Sequence, residues 1–203
     1  GFSDGTVLAF DAKTGAERWQ PVDLSAEAEQ TLGELPQQLD VDTTPVPDQI
    51  DQGAVVSVGS YPGGVFALDA ETGTQIWSNA GVVGVSELFL WTEPAPPTEA
   101  DEPERMGRKI LIASSGTTGL WGLEPASGKE LWRRALPYGG VSAPVPMIGA
   151  LLVSASQLGV FLVSPLGGEL IDGIHVADGV SMTPAVPNDA LPETSKSASA
   201  VTR

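Results

Sequence analysis

One recurring pattern constrains the fold of this chain more than any other feature. Its complete copy runs from Gly64 to Trp77 and reads as a strand, a tight turn and a second strand. Asp69 heads the turn, where its carboxylate can accept hydrogen bonds from the turn amides, and Gly73 supplies the residue with positive φ that a bulged hairpin loop requires. Trp77 closes the second strand with a large ring. The chain is therefore predicted to consist of hairpins of one kind.

The pattern returns in three further stretches, 7–19, 120–132 and 161–172. The last of these keeps the turn glycine, Gly168, and lacks the tryptophan. We interpret the acidic residues as turn caps and the tryptophans as rings that pack between adjacent units, each burying on the order of 200 Å2. The residues that carry the repeat are Asp11, Gly15 and Trp19, then Asp69, Gly73 and Trp77, then Glu124, Gly128 and Trp132.

The length of the repeat indicates a β-propeller, because periods of about 40 to 50 residues are typical of propeller blades. The inner strands 54–58 and 110–113 are nearly continuous apolar runs. Such runs are expected where neighbouring blades cover both faces of a sheet. The predicted fold class is all-β: a partial β-propeller of four-stranded blades, with about three full blades and two partial ones.

The blade boundaries follow from the same strands. A short surface helix is predicted behind Ser25, in the connection after blade I. Proline and acidic residues dominate 92–107, which has too few apolar residues to order itself and is predicted to be a mobile acidic loop.

As an alternative to the partial propeller, the last strands of the chain could complete blade I and close a four-bladed ring. The predicted segments are a partial blade I at 5–19, a connection at 20–39, blade II at 40–79, blade III at 84–134, blade IV at 141–173 and the start of blade V at 180–203.

Charge and composition exclude several classes of function. The net charge is −16 with ten Lys and Arg residues, so a nucleic-acid backbone would be repelled. No apolar run approaches the roughly 20 residues that a membrane-spanning helix needs, so no transmembrane segment is predicted. The 203 residues include no cysteine, and neither a disulfide nor a thiolate metal site can form.

No catalytic constellation can be assembled from the remaining residues. His175 is the one histidine, so the chain alone cannot form a histidine metal cluster or a hydrolytic triad. The glycine-rich stretch 116–122 has no following lysine and leads into a strand, which favours a hairpin turn over a phosphate-binding loop. We therefore predict no catalytic residue, no metal and no cofactor.

The repeat Ala-(Phe/Leu)-Asp-x-x-Thr-Gly-x-x-x-Trp resembles the PQQ-like β-propeller repeat, and the resemblance covers essentially the whole chain. The stretch Asp40-Val-Asp-Thr-Thr-Pro-Val46 is similar to a segment of the BamB family, lipoproteins of the outer-membrane β-barrel assembly machinery. This resemblance implies that Asp40, Asp42 and Thr43 lie on a surface that binds a partner, the barrel-inserting subunit BamA. It also implies a periplasmic location and a lipidated cysteine upstream of Gly1.

The leading hypothesis is therefore a non-enzymatic scaffold of the cell envelope. Acidic residues before a strand can also cap turn amides or keep an edge soluble, which is the structural alternative for Asp40 and Asp42. A second hypothesis is the propeller portion of a PQQ-dependent quinoprotein dehydrogenase, although the chain has no cysteine and only two asparagines, Asn79 and Asn188. A third is a generic extracellular sensor or adhesion propeller.

Overall fold

The computed structural model describes residues 1–25, 40–41, 43–94, 107–136, 140–180 and 182–186. Within these ranges the chain forms fourteen β-strands. Most of the predicted helix after Ser25, most of the acidic loop and the C-terminal part of blade V lie outside the described residues. The strands are β1 Thr6–Val7, β2 Val22–Asp23, β3 Val46–Ile50, β4 Gly53–Ser60, β5 Gly64–Asp69, β6 Gln75–Asn79, β7 Val85–Thr92, β8 Lys109–Ser115, β9 Gly119–Leu123, β10 Glu130–Arg134, β11 Val145–Met147, β12 Ala150–Ala155, β13 Gly159–Val163 and β14 Leu170–His175.

Three four-stranded antiparallel sheets form the body of the molecule, and in each the strands pair in chain order. Blade II consists of β3 to β6, blade III of β7 to β10 and blade IV of β11 to β14. The predicted fold class, an all-β partial propeller, is confirmed. In the described residues the sheets do not close a ring: residue 180 and residues 182–186 lie in no strand, and β1 pairs with β2.

Blade I is smaller than the other blades. Its hairpin turns at Gly15, where the amide of Asp11 donates to the carbonyl of Ala16 at 2.8 Å. Thr6 of β1 pairs with Asp23 of β2, so the second arm of this hairpin extends beyond Trp19, where the sequence predicted its end. This strand was not predicted, because Val22 and Asp23 are too short a stretch to carry an alternation pattern.

Each sheet presents its connections at two ends of the propeller. Because consecutive antiparallel strands run in opposite directions, the β5–β6, β9–β10 and β13–β14 turns share one end, which we call the repeat-turn face. The β3–β4 turn, at Asp51, lies at the same end. The opposite end, which we call the Asp40 face, carries the β4–β5, β8–β9 and β12–β13 turns together with Asp40.

The core lies between blades rather than within one of them, because each buried cluster draws side chains from consecutive sheets. Burial of these side chains from water is the main force that holds neighbouring blades together. The cluster between blades I and II contains Val7, Trp19, Leu24, Val41, Val58, Phe66 and Leu68. The cluster between blades II and III includes Val65, Trp77, Val85, Leu111 and Trp121, and that between blades III and IV includes Ile110, Leu120, Trp132, Leu151 and Val163.

Candidate partner-binding site

Asp40 lies at the entry to blade II, at a position where blades III and IV have glycine. Its carbonyl oxygen accepts a hydrogen bond from the amide of Tyr61 at 3.1 Å. In blade III the amide of Gly116 donates in the same way to Gly84, at 2.7 Å. In blade IV, Ser156 donates to Gly140 at 3.0 Å. The repeated contact uses only the main chain, so the fold does not require a carboxylate at this position.

The side chain of Asp40 is half-buried, and within the described part of the chain its carboxylate makes no hydrogen bond or ion pair. Tyr61, whose amide binds the Asp40 carbonyl, leaves 41% of its surface exposed. An acidic group and an aromatic ring therefore stand together on the Asp40 face. This combination suits contact with another protein, because aromatic residues are enriched at interfaces and a carboxylate selects a cationic partner.

Thr43 has a structural role that was not predicted from the sequence. It is 4% exposed, and its hydroxyl accepts a hydrogen bond from the amide of Gly59 at 2.7 Å. Ser142 of blade IV accepts the amide of Ser154 in the same manner, at 3.0 Å. The Thr43 hydroxyl thus fixes the entry to blade II and does not face solvent. Asp42, the other predicted residue of this surface, lies outside the described residues.

The carboxylates of Asp11 and Asp69 act as turn caps, whereas the carboxylate of Glu124, which the repeat predicted as a third cap, accepts no hydrogen bond from the described residues. Asp69 Oδ1 accepts the amides of Thr72 at 2.7 Å and Glu71 at 2.9 Å. Asp11 Oδ1 accepts the amides of Thr14 at 2.8 Å and Lys13 at 3.1 Å. Hydrogen bonds from the Thr72 amide and the Thr14 amide, respectively, are the largest causes that lower the pKa of Asp69 and of Asp11 below the usual value.

These lowered pKa values predict loss of stability in acid. A carboxyl group whose pKa falls on folding stabilises the folded state above its unfolded pKa, near 3.9, and this contribution is lost as the pH falls through the lower folded pKa. We expect the thermal midpoint of the chain to drop as the pH is lowered from about 5 to 3. In Asp11→Asn/Asp69→Asn the drop should be smaller, as followed by circular dichroism. An equal drop in both proteins would contradict the capping role.

The tryptophans of the repeat bind the next blade by two kinds of contact. Trp77 Nε1 donates to the carbonyl of Pro125 at 2.9 Å, and Trp132 Nε1 donates to that of Pro165, also at 2.9 Å. The indole nitrogen of Trp19 is buried and has no partner among the described residues. Each indole ring also covers the turn glycine of the next blade, as Trp77 does at Gly128.

At two of these junctions a further side chain donates a hydrogen bond to the next blade. The sequence analysis did not predict these hydrogen bonds. Asn79 Nδ2 donates to the carbonyl of Gly128 at 2.7 Å, and Arg134 Nε donates to that of Gly168 at 2.7 Å. Asn79 and Arg134 each stand two positions after a repeat tryptophan. Side chains two positions apart on a strand share a face. A polar residue two positions after a repeat tryptophan could therefore have indicated a second contact with the next blade.

A groove of about 390 Å3 opens between blades II and III on the repeat-turn face. The side chain of Asp48, on the wall of this groove, is 5% exposed and pairs with Lys109, whose Nζ also donates to the carbonyl of Gln49 at 3.2 Å. Asp48 Oδ1 accepts the Gln49 amide at 2.7 Å. The pair joins two blades and is explained as a structural link. No group of three or more histidine, cysteine or acidic residues within the described ranges is placed to hold a metal ion.

Sheet order, blade junctions and repeat turns together define a PQQ-like β-propeller. The family model described as outer membrane protein assembly factor BamB matches residues 3–179, and the chain belongs to this family. Among the residues that the structure describes, none belongs to a helix that could span a lipid bilayer.

Two curated relatives carry the same description. The chain is 25% identical to outer membrane protein assembly factor BamB of Legionella pneumophila over 187 residues, which cover 92% of the chain and 42% of that relative. It is 25% identical to the Nitrosomonas eutropha protein of that name over 168 residues, 83% of the chain and 32% of the relative. The chain thus spans less than half the length of the curated relatives it matches.

Two solved structures show the same fold. BamB from Moraxella catarrhalis aligns with a TM-score of 0.56 at 19% identity and covers 92% of this chain and 48% of that one. The computationally designed protein Ika8 aligns with a TM-score of 0.60 at 16% identity and covers 93% of this chain and 49% of that one. At these identities the likeness concerns the arrangement of blades.

Proposed function

We propose that the chain is part of a non-enzymatic scaffold of the cell envelope, in the periplasm, that binds partner proteins of outer-membrane β-barrel assembly. Membership of the family named for that assembly supports the general role. The partner that we propose is a barrel-assembly subunit of the BamA type, and the surface that binds it is the Asp40 face.

The choice of the Asp40 face rests on one observation. Asp40 places a carboxylate where blades III and IV have Gly84 and Gly140, although the main-chain contact that the three blades share at this position needs only a carbonyl oxygen. A half-buried charge loses hydration, and the residues that the structure describes offer the Asp40 carboxylate no compensating hydrogen bond or ion pair. A cationic group on another protein would supply the missing partner and would add to the rate and specificity of association.

The three residues of the predicted surface then have different roles. We assign the contact with the partner protein to Asp40 and Asp42. Thr43 acts as a positioning residue, because its buried hydroxyl holds the segment that leads into β3 against Gly59. The exposed ring of Tyr61 is added to the contact, since it lies beside Asp40 on the same face.

Co-purification with the barrel-assembly subunit tests this proposal. In Asp40→Ala/Asp42→Ala we expect recovery of the subunit to fall by roughly tenfold or more, because truncating one partner of a desolvated charge pair costs about 2 kcal/mol or more. The matched control is Asp51→Ala, which removes an exposed carboxylate from the repeat-turn face and should leave recovery unchanged.

The outcome is interpretable only if the variant remains folded. Asp40→Ala should keep the thermal midpoint of the parent, since the carboxylate makes no described contact. Unchanged recovery with the folded double variant would refute the contact at Asp40 and Asp42. Equal losses in the variant and in the Asp51→Ala control would refute the choice of face.

A further inference from the structure

The groove between blades II and III has walls that the fold holds in place. Ile50 and Asp51, at the end of β3 and in the turn that follows, line it from blade II. Glu124 and Pro125, in the repeat turn of blade III, line it from the other side. The carbonyl of Pro125 accepts a hydrogen bond from Trp77 Nε1 of blade II at 2.9 Å, so the two walls are tied together. The groove volume, about 390 Å3, lies within the range typical of ligand pockets.

Blade III lacks the turn cap of blades I and II, and this leaves a carboxylate at the groove. Asp11 and Asp69 cap their own turns, whereas Glu124, at the same position of the repeat, accepts no hydrogen bond from the described residues. Asp51 is exposed and also makes no hydrogen bond or ion pair through its side chain within the described ranges. Two carboxylates from different blades are therefore available to a ligand in the groove.

A buried ion pair on the groove wall adds to this negative character. The side chain of Asp48 is 5% exposed, and its Oδ1 accepts Lys109 Nζ and the Gln49 amide. Its other oxygen, Oδ2, is buried and has no partner among the described residues. The charge of Lys109 is already balanced by Asp48, so this lysine does not offset the two available carboxylates. Because charges interact more strongly where water is excluded, the incompletely bonded Asp48 carboxylate also favours a cation nearby.

The remaining lining residues define the shape of cation that fits. Ile50, Pro125 and Leu131 supply apolar surface beside the carboxylates. Arginine and lysine side chains combine an aliphatic stem, which packs on such surface, with a charged head. The planar guanidinium has five N–H donors and can bridge two carboxylates, which an ammonium group does less well. Arg108 also lines the groove, but it is one cation against two carboxylates in a chain of net charge −16.

We propose that this groove binds an extended peptide segment of another protein that carries an arginine between apolar residues, with the guanidinium bonded to Asp51 and Glu124. The apolar neighbours of that arginine cover Ile50 and Leu131. Free arginine would leave this apolar lining exposed to water, which favours a peptide as the occupant. The groove lies on the repeat-turn face, at the opposite end of the propeller from Asp40, so both sites can be occupied at once.

A nuclear magnetic resonance titration of the nitrogen-15-labelled 203-residue chain tests the proposal. The probe is the peptide acetyl-Ala-Leu-Arg-Leu-Ala-amide. We expect saturable shifts of the amides of Gln49, Ala126 and Leu131, which line the groove, and none of the amide of Tyr61. The same peptide with citrulline in place of arginine keeps the shape and removes the charge. It should bind at least about fivefold more weakly, and so should free arginine.

Substitutions in the lining should change the affinity in opposite directions. Asp51→Asn and Glu124→Gln should each raise the Kd of the arginine peptide by about two- to fivefold, because each removes one side of an ion pair. Arg108→Gln should lower the Kd, because it removes a like charge. The matched control is Glu71→Gln, which removes an exposed carboxylate of the same face outside the groove lining and should leave the Kd unchanged. All four side chains are exposed, so the variants should fold as the parent does.

Four results would overturn the inference. The absence of saturable shifts up to about 5 mM peptide, well above a millimolar Kd, would exclude a site of useful strength. Equal binding of the citrulline peptide would exclude recognition of the charge, and equal binding of free arginine would exclude a peptide as the occupant. A Kd raised as much by Glu71→Gln as by Glu124→Gln would show attraction to the whole chain. None of these results bears on partner binding at Asp40, so the two proposals fail independently.

Discussion

Trp132→Ala is expected to lower the free energy of unfolding by about 3–5 kcal/mol, the range for truncating a buried aromatic side chain. The ring is 7% exposed and belongs to the cluster that joins blades III and IV. The substitution also removes the donor to the carbonyl of Pro165. Ile148→Ala is the control, because Ile148 is 81% exposed and its truncation should change stability by less than about 0.5 kcal/mol.

Phenylalanine substitutions separate the ring from its hydrogen bond. Trp132→Phe keeps an aromatic ring but leaves the buried Pro165 carbonyl without its donor. Trp19→Phe removes an indole nitrogen that has no partner among the described residues. We expect Trp132→Phe to be more destabilising by about 1 kcal/mol, as measured by urea denaturation of both variants. Equal effects would show that the indole hydrogen bond contributes nothing to the junction.

Gly128→Ala is the second substitution with a large expected effect. The φ of Gly128 is 68°, so any side chain there adopts a left-handed conformation at about 1–2 kcal/mol. A Cβ would also stand less than 3.0 Å from ring atoms of Trp77, and such overpacking adds roughly 1–3 kcal/mol. The ring cannot move away freely, because its nitrogen is bonded to Pro125.

Gly15→Ala is the matched control for this substitution. Its φ of 70° carries the same conformational cost, but no described heavy atom lies near the added Cβ. The difference in unfolding free energy between the Gly128 and Gly15 variants therefore measures the steric part alone. Should both variants lose the same stability, the close approach of Trp77 to Gly128 would be wrong.

The fold class could be predicted from the sequence because its determinants are local. Asp69, Gly73 and Trp77 stand at fixed spacing within one hairpin, and repetition of that hairpin at a blade-like period defines the architecture. The capping role of Asp69 follows from its position at the head of a turn, since a side chain that bonds amides two and three residues later needs no information from distant segments.

Contacts between separate segments were not predictable in this way. Lys109 pairs with Asp48 across 61 positions, and no local pattern distinguishes that lysine from a solvated one. Burial of Thr43 likewise depends on its distance from Gly59 in the folded sheet. The segment resemblance selected Asp40 and Thr43 together, whereas the structure separates them into a half-buried carboxylate on the Asp40 face and a buried hydroxyl.

The most direct test of the proposed function is site-specific photocrosslinking in cells that produce the chain together with a BamA-type barrel-assembly subunit. A photoreactive phenylalanine analogue at Tyr61 would report on the Asp40 face, and the same analogue at Ile148 on the repeat-turn face, since both side chains are exposed. We predict a crosslink to the subunit from position 61 and none from position 148. Crosslinking from position 148 alone, or from neither position, would contradict the assignment of the Asp40 face as the partner-binding surface.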